Sequence, residues 1–243
     1  MSYSNLEFHE VRLSEEGVLH VEINRPDRLN AMNEPCWTEY GKIFAQAARD
    51  SDVRAVVVNG VGRAFCAGLD VVDSAQGFAE RQQMDTARAG LKLGEHIRDF
   101  QLALHQAHLI NKPVIGVAHG PCIGLGIDLL TTFDVRFAAK DALFSVREIV
   151  IGMAADIGTL QRLPKIVGSL GWVKDVCFSG RNFQVDEAIA QGFIQRAYDS
   201  RDDAVNAALE YAKELCKFSP VAMWGTKRSI NYAIDHTTLL KER

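Results

Sequence analysis

Three short β-branched runs alternate with helical patterns along the chain, and this alternation restricts the possible folds more than any other feature. The runs cover residues 18–23 (VLHVEI), 54–59 (RAVVVN) and 113–118 (PVIGVA). Between the first two, Asn33 offers an N-terminal cap to a helical pattern over residues 36–48. Strands that alternate with helices favour an α/β fold.

The second half of the chain is poorer in strand patterns and richer in helical ones. Residues 79–108 carry apolar positions at roughly helical spacing, which predicts one or two helices. Short strand-like runs follow at 135–138 and 143–146. Further helices are predicted over 203–217 and 221–240, separated by a proline that stops one helix and restarts the next.

The composition is that of a chain with one large core and no strong charge. The 243 residues include 47% hydrophobic side chains, and 27 Lys and Arg stand against 31 Asp and Glu, for a net charge of -4. Such a charge balance does not indicate a basic surface for binding nucleic acid or an anionic membrane. No apolar run reaches membrane-spanning length. The five cysteines are scattered, without CxxC spacing, which argues against disulfides and a zinc site.

Two glycine-punctuated loops each follow a predicted strand. Residues 60–70 read GVGRAFCAGLD, and residues 119–128 read HGPCIGLGID. The second loop runs directly into an apolar helix, whose first amides lack internal partners and lie at the positive end of the helix dipole. An oxyanion would be stabilised there, although glycines at such turns are also common for purely steric reasons. Neither loop matches a dinucleotide or P-loop motif.

Three carboxylates lie among small or apolar neighbours: Asp128, Glu148 and Asp156. Such surroundings raise a carboxyl pKa and permit proton exchange near neutrality. Each acid also has a structural alternative. Asp128 could be a buried acid satisfied by threonine hydroxyls on its own helix, Glu148 a solvated charge at a strand end, and Asp156 the N-cap of the helix that follows.

Taken together, three segments resemble the crotonase, or enoyl-CoA hydratase/isomerase, superfamily. They are residues 23–32 (INRPDRLNAM), 64–70 (AFCAGLD) and 124–128 (GLGID). The resemblance implies a spiral core of repeated β-β-α turns over residues 1–197 and a C-terminal helical trimerisation region over 198–243. Family members usually continue this last region further, so a shortened or disordered end is expected.

The same resemblance implies a binding site for an acyl-CoA thioester. The backbone N–H groups of Leu69 and Leu125 would bind the thioester oxygen, and the substrate-binding set would be Ala67, Gly68, Leu69, Asp70 and Leu125. Many relatives have three consecutive glycines where this chain has Leu125. The amide is kept, but its side chain could reshape the acyl site.

The three acids and residues 154–164 (AADIGTLQRLP) resemble the branch that converts 3,5-dienoyl-CoA to 2,4-dienoyl-CoA in fatty acid β-oxidation. That resemblance assigns Glu148 to the proton at C2 and Asp156 to C6, while Asp128 orients or tunes its partners. Two enzymatic alternatives remain, an enoyl-CoA hydratase and a 3-enoyl-CoA to 2-enoyl-CoA isomerase. A non-catalytic acyl-CoA-binding scaffold is an alternative of another class.

The resemblance also predicts the partners of the chain. It implies a homotrimer or dimer of trimers, no metal and no redox cofactor, since coenzyme A is part of the substrate. The first ten residues lack a secretory or transit pattern, and the chain does not end in Ser-Lys-Leu. The compartment is therefore unknown, with mitochondrion and peroxisome both compatible with the family.

Overall fold

The computed structural model of the protein describes residues 3–73 and 83–236. The strands are β1 (His9–Leu13), β2 (Val18–Ile23), β3 (Ala55–Gly60), β4 (Val114–Ala118), β5 (Pro121–Ile123), β6 (Val135–Ala139), β7 (Leu143–Ser145), β8 (Phe183–Gln184) and β9 (Arg196–Tyr198). The α-helices are α1 (Glu34–Arg49), α2 (Thr86–Leu109), α3 (Leu125–Thr131), α4 (Thr159–Ile166), α5 (Leu170–Ser179), α6 (Val185–Ala190), α7 (Arg201–Cys216) and α8 (Pro220–Asp235). Short 3-10 turns cover Pro26–Arg28 and Glu148–Ile151.

In the described part of the chain, the larger sheet has six strands in the order β1-β2-β3-β4-β6-β9. All neighbouring pairs are parallel except β1 with β2. Every residue of β3 and β4 is buried, as expected for parallel strands covered on both faces. The predicted α/β fold is confirmed.

Helix α7 covers one face of this sheet, and its buried alanines permit a close approach. Ala204, Ala208 and Ala212 pack with Val57 and Phe137 in a core of their own. The larger core lies on the other face and includes side chains of α1, α2 and α3. The two glycine loops contribute Cys66, Cys122 and Leu125 to this larger core.

The smaller sheet, β5-β7-β8, brings the two glycine loops together. Cys66 forms a parallel bridge with Cys122, and the Ile123 N–H donates to the Cys66 carbonyl at 2.9 Å. The chain thus leaves β4, makes the short strand β5 beside the first loop, and turns at Gly124 into α3. Two segments almost sixty residues apart in sequence are fixed side by side.

The predicted elements occur with small changes in their bounds. The stretch over residues 79–108 contains one helix, α2, capped by Asp85, whose side chain accepts from the Arg88 N–H; residues 79–82 lie outside the described part. Helix α8 ends at Asp235, and the remainder of its predicted range, from 237 to 240, also lies outside. Strand β1 was not predicted, because its HEVRL sequence alternates polar and apolar residues too briefly.

Within residues 3–73 and 83–236, no helix has the length and apolar character needed to cross a membrane. The predicted division at residue 197 falls between β9 and α7. Helix α7 nevertheless packs on the main sheet, so the two proposed regions share a core. The division therefore separates topological regions rather than independent cores.

Candidate active site

A cavity of about 800 Å³ lies between helices α1 and α2 on one side and the two glycine loops on the other. Its apolar wall includes Trp37 and Phe100, whose rings stack with centroids 4.7 Å apart. Its polar wall carries the three predicted carboxylates, Asp128, Glu148 and Asp156, together with Glu34 and Asp73. The cavity can therefore hold an apolar chain against acid–base groups.

The first glycine loop presents the Leu69 amide to this cavity. Met32 forms two backbone hydrogen bonds with the residues on either side of Leu69. Its N–H donates to the Gly68 carbonyl, and its carbonyl accepts from the Asp70 N–H, both at 2.9 Å. Peptide groups alternate in direction along an extended segment, so the Leu69 N–H points away from Met32. Gly68 has φ +112°, a conformation that favours glycine and turns the chain at this point.

The second glycine loop presents the Leu125 amide. Gly124 has φ +51°, and Leu125 is the first residue of α3, so its N–H has no acceptor inside the helix. The two loops touch at Gly126, where an added Cβ would lie only 2.7 Å from the Cys66 carbonyl oxygen. Leu69 and Leu125 both line the cavity, and their amides are candidate donors to one oxygen.

Asp128 lies on α3 and is fully buried. Its Oδ1 accepts hydrogen bonds from the Thr159 N–H at 2.6 Å and the Thr159 hydroxyl at 2.8 Å. Burial raises the Asp128 pKa to about 6, although both hydrogen bonds and the nearby Arg162 oppose the rise. A threonine does satisfy this acid, but from α4; Thr131 and Thr132 of its own helix donate to backbone carbonyls instead.

Glu148 opens a 3-10 turn and reaches back toward the second glycine loop. A Cβ added to Gly124 would lie 3.1 Å from its Oε1, and its Oε2 is buried without a hydrogen-bond partner among the described residues. Burial, followed by the charge of Asp128, raises the Glu148 pKa to about 7. Both Arg147 and Glu148 border the cavity, but Arg147 is exposed, whereas Glu148 is half-buried and is not a solvated charge.

Asp156 lies in the turn before α4 and lines the same cavity. The N-cap of α4 is Gly158, and the first amide of this helix, that of Thr159, donates to Asp128, so the alternative of Asp156 as a cap is wrong. Gln101 of α2 donates to the Asp156 carbonyl at 2.7 Å and ties the turn to the opposite wall. The Asp156 charge contributes to the raised pKa values of both Asp128 and Glu148.

The predicted substrate-binding residues divide into two groups. Ala67 and Gly68 line the cavity together with the two leucines. Asp70 does not; its carboxylate accepts from Arg25 at 3.1 Å, and only 5% of the residue is exposed. Arg25 also donates to the Ala31 carbonyl, so this pair fastens the N-terminal segment to the first glycine loop.

Several residues of the site escaped the sequence analysis. Trp37 and Phe100 supply the apolar wall, Gln101 holds the Asp156 turn, and Arg162 lies behind Asp128. Each lies on a helix whose pattern predicts burial of one face without indicating which partner it meets. Of these residues, only the two aromatic ones could have been predicted from the sequence, because large aromatic side chains are common in cores and binding pockets.

The amino-acid sequence matches one family model and several named proteins along most of its length. The family model described as enoyl-CoA hydratase/isomerase matches residues 14–243. The human protein named Delta(3,5)-Delta(2,4)-dienoyl-CoA isomerase, mitochondrial, is 40% identical over 97% of this chain and 71% of its own length. An Arabidopsis thaliana protein with the same activity in its name, described as peroxisomal, is 33% identical over 93% of this chain and 81% of its own.

Other relatives carry a different activity in their names. A short-chain-enoyl-CoA hydratase of Clostridium acetobutylicum is 32% identical over 93% of this chain and 82% of its own length. Among solved structures, an enoyl-CoA hydratase/isomerase from Xanthobacter autotrophicus has a TM-score of 0.83 at 26% identity, covering 94% of this chain and 80% of that one. An enoyl-CoA hydratase from Bacillus anthracis has a TM-score of 0.84 at 23% identity, covering 95% and 84%, and shows the shared fold alone.

Proposed function

Because this chain belongs to the enoyl-CoA hydratase/isomerase family, we propose that it converts 3,5-dienoyl-CoA to 2,4-dienoyl-CoA as an enzyme of fatty acid β-oxidation. The observation that carries the proposal is the meeting of Asp128, Glu148 and Asp156 in one apolar cavity beside two glycine loops. Relatives whose names state this isomerisation match nearly the whole chain. The substrate is an acyl-CoA thioester.

The proposed reaction moves one proton off the acyl chain and another onto it. A base takes a proton from C2, the electron pair shifts along the chain to give double bonds at C2 and C4, and an acid delivers a proton to C6. The intermediate is a dienolate with negative charge on the thioester oxygen. The amides of Leu69 and Leu125 would stabilise that oxygen, and losing one such donor typically costs about 10²–10³ in rate.

We assign the C2 proton to Glu148. Its carboxylate lies against Gly124, immediately before the Leu125 amide, and C2 is the carbon next to the thioester carbonyl. With a pKa of about 7, the Glu148 carboxyl group can accept and release protons near neutral pH. Its buried Oε2 has no partner in the described chain and is available to a substrate.

We assign the C6 proton to Asp156, which lies on a different segment of the same cavity. Asp128 would remain on Thr159 and tune its neighbours, since its charge raises the Glu148 pKa. In this proposal the chain needs no metal and no redox cofactor, because coenzyme A arrives as part of the substrate. The compartment is left open, as relatives are described as mitochondrial and as peroxisomal.

The test is incubation of the purified protein with 3,5-octadienoyl-CoA while the ultraviolet absorbance of the 2,4-dienoyl product is recorded. Parallel samples contain a 2-enoyl-CoA, to detect hydration, and a 3-enoyl-CoA, to detect the shorter isomerisation. Conversion of the dienoyl substrate well above the other two supports the proposal. Turnover of only the 2-enoyl or 3-enoyl substrate would reassign the enzyme, and thioester binding without any turnover would make the protein a scaffold.

A further inference from the structure

Arg162 extends from α4 back toward the turn that carries Asp156. Its Nε donates to the Thr131 hydroxyl at 2.9 Å, and its Nη2 lies 3.3 Å from the Asp128 carbonyl oxygen and 3.4 Å from that of Ile157. A single guanidinium group thus reaches α3 and the turn before α4. These two segments carry two of the three proposed catalytic acids, Asp128 and Asp156.

Gly158 provides the space for this contact. Its φ is +145°, and a Cβ built on it would lie 1.8 Å from Arg162 Nη2 and 2.2 Å from Arg162 Cζ. No side chain larger than hydrogen can occupy this position while the guanidinium stays in place. The observed position of the Arg162 guanidinium therefore requires glycine at position 158.

The Asp128 carboxylate joins the same two segments from the opposite direction. It accepts from the N–H and the hydroxyl of Thr159, the residue that follows Gly158. Residues 157–159 are consequently tied to α3 by a guanidinium on one side and a carboxylate on the other. Two sets of charge-assisted hydrogen bonds fix such a junction more firmly than apolar contact would, because they are directional.

We infer that Arg162, seated over Gly158, is a positioning residue that sets the separation of Asp128 and Asp156 and places a positive charge beside Asp128. The inference deepens the proposed function and rests on it. Arg162 does not line the cavity, so it acts through the two acids rather than on substrate. Its role is distinct from that of a proton donor or acceptor.

The electrostatic part of the inference follows from the surroundings of Asp128. Burial favours its neutral form, and the carboxylate of Asp156 does the same, whereas the Arg162 cation favours the ionised form. The other titratable groups that interact electrostatically with Asp128 or Arg162 are Glu148, Cys66, Cys177, Tyr40 and His105. Arg162 is the only permanent cation among these groups.

Four variants distinguish the effect of the guanidinium's position from the effect of its charge. Arg162→Gln removes the cation and part of the fork, and Arg162→Lys keeps the cation but loses the planar fork. Gly158→Ala leaves the arginine in the sequence but displaces its guanidinium. Gly192→Ala, at another glycine of positive φ with nothing within 4 Å of the added methyl group, is the matched control.

Two measurements are made on each variant. The first is kcat and KM for 3,5-octadienoyl-CoA; we expect kcat to fall about 10²-fold in Arg162→Gln and Gly158→Ala with little change in KM, because misplaced acids cost rate. The second is the titration midpoint of Asp128, followed by carbon NMR of labelled aspartate without substrate. It should rise by about one pH unit in Arg162→Gln and stay near the wild-type value in Arg162→Lys.

The proposed function and the role of Arg162 can fail independently of each other. If the wild-type protein makes no 2,4-dienoyl-CoA, the proposed function fails, while the NMR titration still decides whether Arg162 tunes Asp128. An unchanged midpoint in a folded Arg162→Gln variant, or wild-type kcat in Gly158→Ala, would overturn the inference. Circular dichroism and thermal melting identify a misfolded Arg162→Gln variant, and the lysine and alanine variants then decide the question.

Discussion

At the scale of single residues, the site depends on three carboxylates with three different environments. Asp128 is held by two donors of Thr159, Glu148 has a buried oxygen without a partner, and Asp156 lies in a turn held by Gln101. Similar acids in one cavity acquire separate tasks when their surroundings move their pKa values apart. Substitutions that keep size but remove the exchangeable proton should therefore have different effects.

Glu148→Gln and Asp156→Asn should block different proton transfers. In deuterated water, Glu148→Gln should abolish both isomerisation and deuterium exchange at C2, because the base next to the thioester is lost. Asp156→Asn should abolish product formation while exchange at C2 continues, since the dienolate can still form. NMR of the recovered substrate reads both positions.

The opposite pattern, with C2 exchange lost only in Asp156→Asn, would reverse the two assignments. Full isomerase activity in both variants would reject carboxylate catalysis altogether. Glu34→Gln is a useful control, because this exposed carboxylate also borders the cavity but lies 3.7 Å from His96 of α2.

Asp128→Asn should stabilise the protein at alkaline pH while impairing its activity. The folded-state pKa of about 6 exceeds the unfolded value of about 3.9, so the folded state binds the proton more tightly and wild-type stability falls as pH rises from about 4 to 6. Asparagine keeps an acceptor for Thr159 without a charge. We expect a gain of roughly 1–3 kcal/mol in unfolding free energy at pH 8, shrinking toward pH 4.

Urea unfolding of both proteins at several pH values measures this difference. A stability gap that grows as the pH falls would contradict the sign of the pKa shift. A gap that does not change with pH would show that the substitution acts through packing instead of ionisation.

At the scale of elements, the short β5–α3 turn does the most to build the site. Strand β5 aligns the second glycine loop with the first, and α3 then starts at Leu125, which lines the cavity. The turn needs a positive φ at Gly124 and also leaves room there for Glu148. Backbone conformation and acid placement are therefore coupled at a single residue.

Gly124→Ala should reduce kcat far more than Gly192→Ala. Both glycines have positive φ, so both substitutions carry a backbone penalty on the order of 1–2 kcal/mol. Only at Gly124 does the new methyl group meet a carboxylate oxygen, at 3.1 Å, whereas nothing lies within 4 Å of it at Gly192. Steady-state kinetics together with thermal melts separate the two effects.

If both alanine variants lose stability equally but keep wild-type kcat, the position of Glu148 does not depend on this turn. If Gly192→Ala loses as much activity as Gly124→Ala, general destabilisation explains both results.

At the scale of the whole molecule, most described side chains of helix α8 are exposed. Lys227 donates to Asp134 at 2.7 Å, and its side chain is 9% exposed. Elsewhere α8 presents large apolar side chains to solvent: Val221, Trp224, Ile230, Tyr232 and Ile234. Exposed apolar side chains in such number are typical of an interface, and they support the family-based prediction of a trimer.

Light scattering should give a mass of three chains, or six, and Ile230→Asp should lower it, because a buried unpaired charge opposes association. Ser229→Asp adds the same charge on a neighbouring exposed position of α8 and should have the smaller effect. A monomer at all working concentrations would reject the trimer. Dissociation only on dilution would indicate a weak one.

Much of the fold could be predicted because local pattern determines it. β-Branched runs gave β2, β3 and β4, and apolar spacing with caps gave α1 and α7, since the periods of strands and helices are written in consecutive residues. Strand β1 was missed because a five-residue edge strand with exposed positions carries almost no periodic signal. Its place is decided by pairing with β2.

The sequence by itself determined the two glycine loops and the three acids, because backbone donors and carboxylates are identified by residue type and local order. Only the tertiary structure decided how they are used. Thr159, and not Thr131, donates hydrogen bonds to the Asp128 carboxylate. Asp70 forms an ion pair with Arg25 and does not line the cavity, and the Arg162 guanidinium occupies the space beside Gly158 that a Cβ would fill. These contacts depend on the packing of segments distant in sequence or on side-chain direction, and neither is encoded in local spacing.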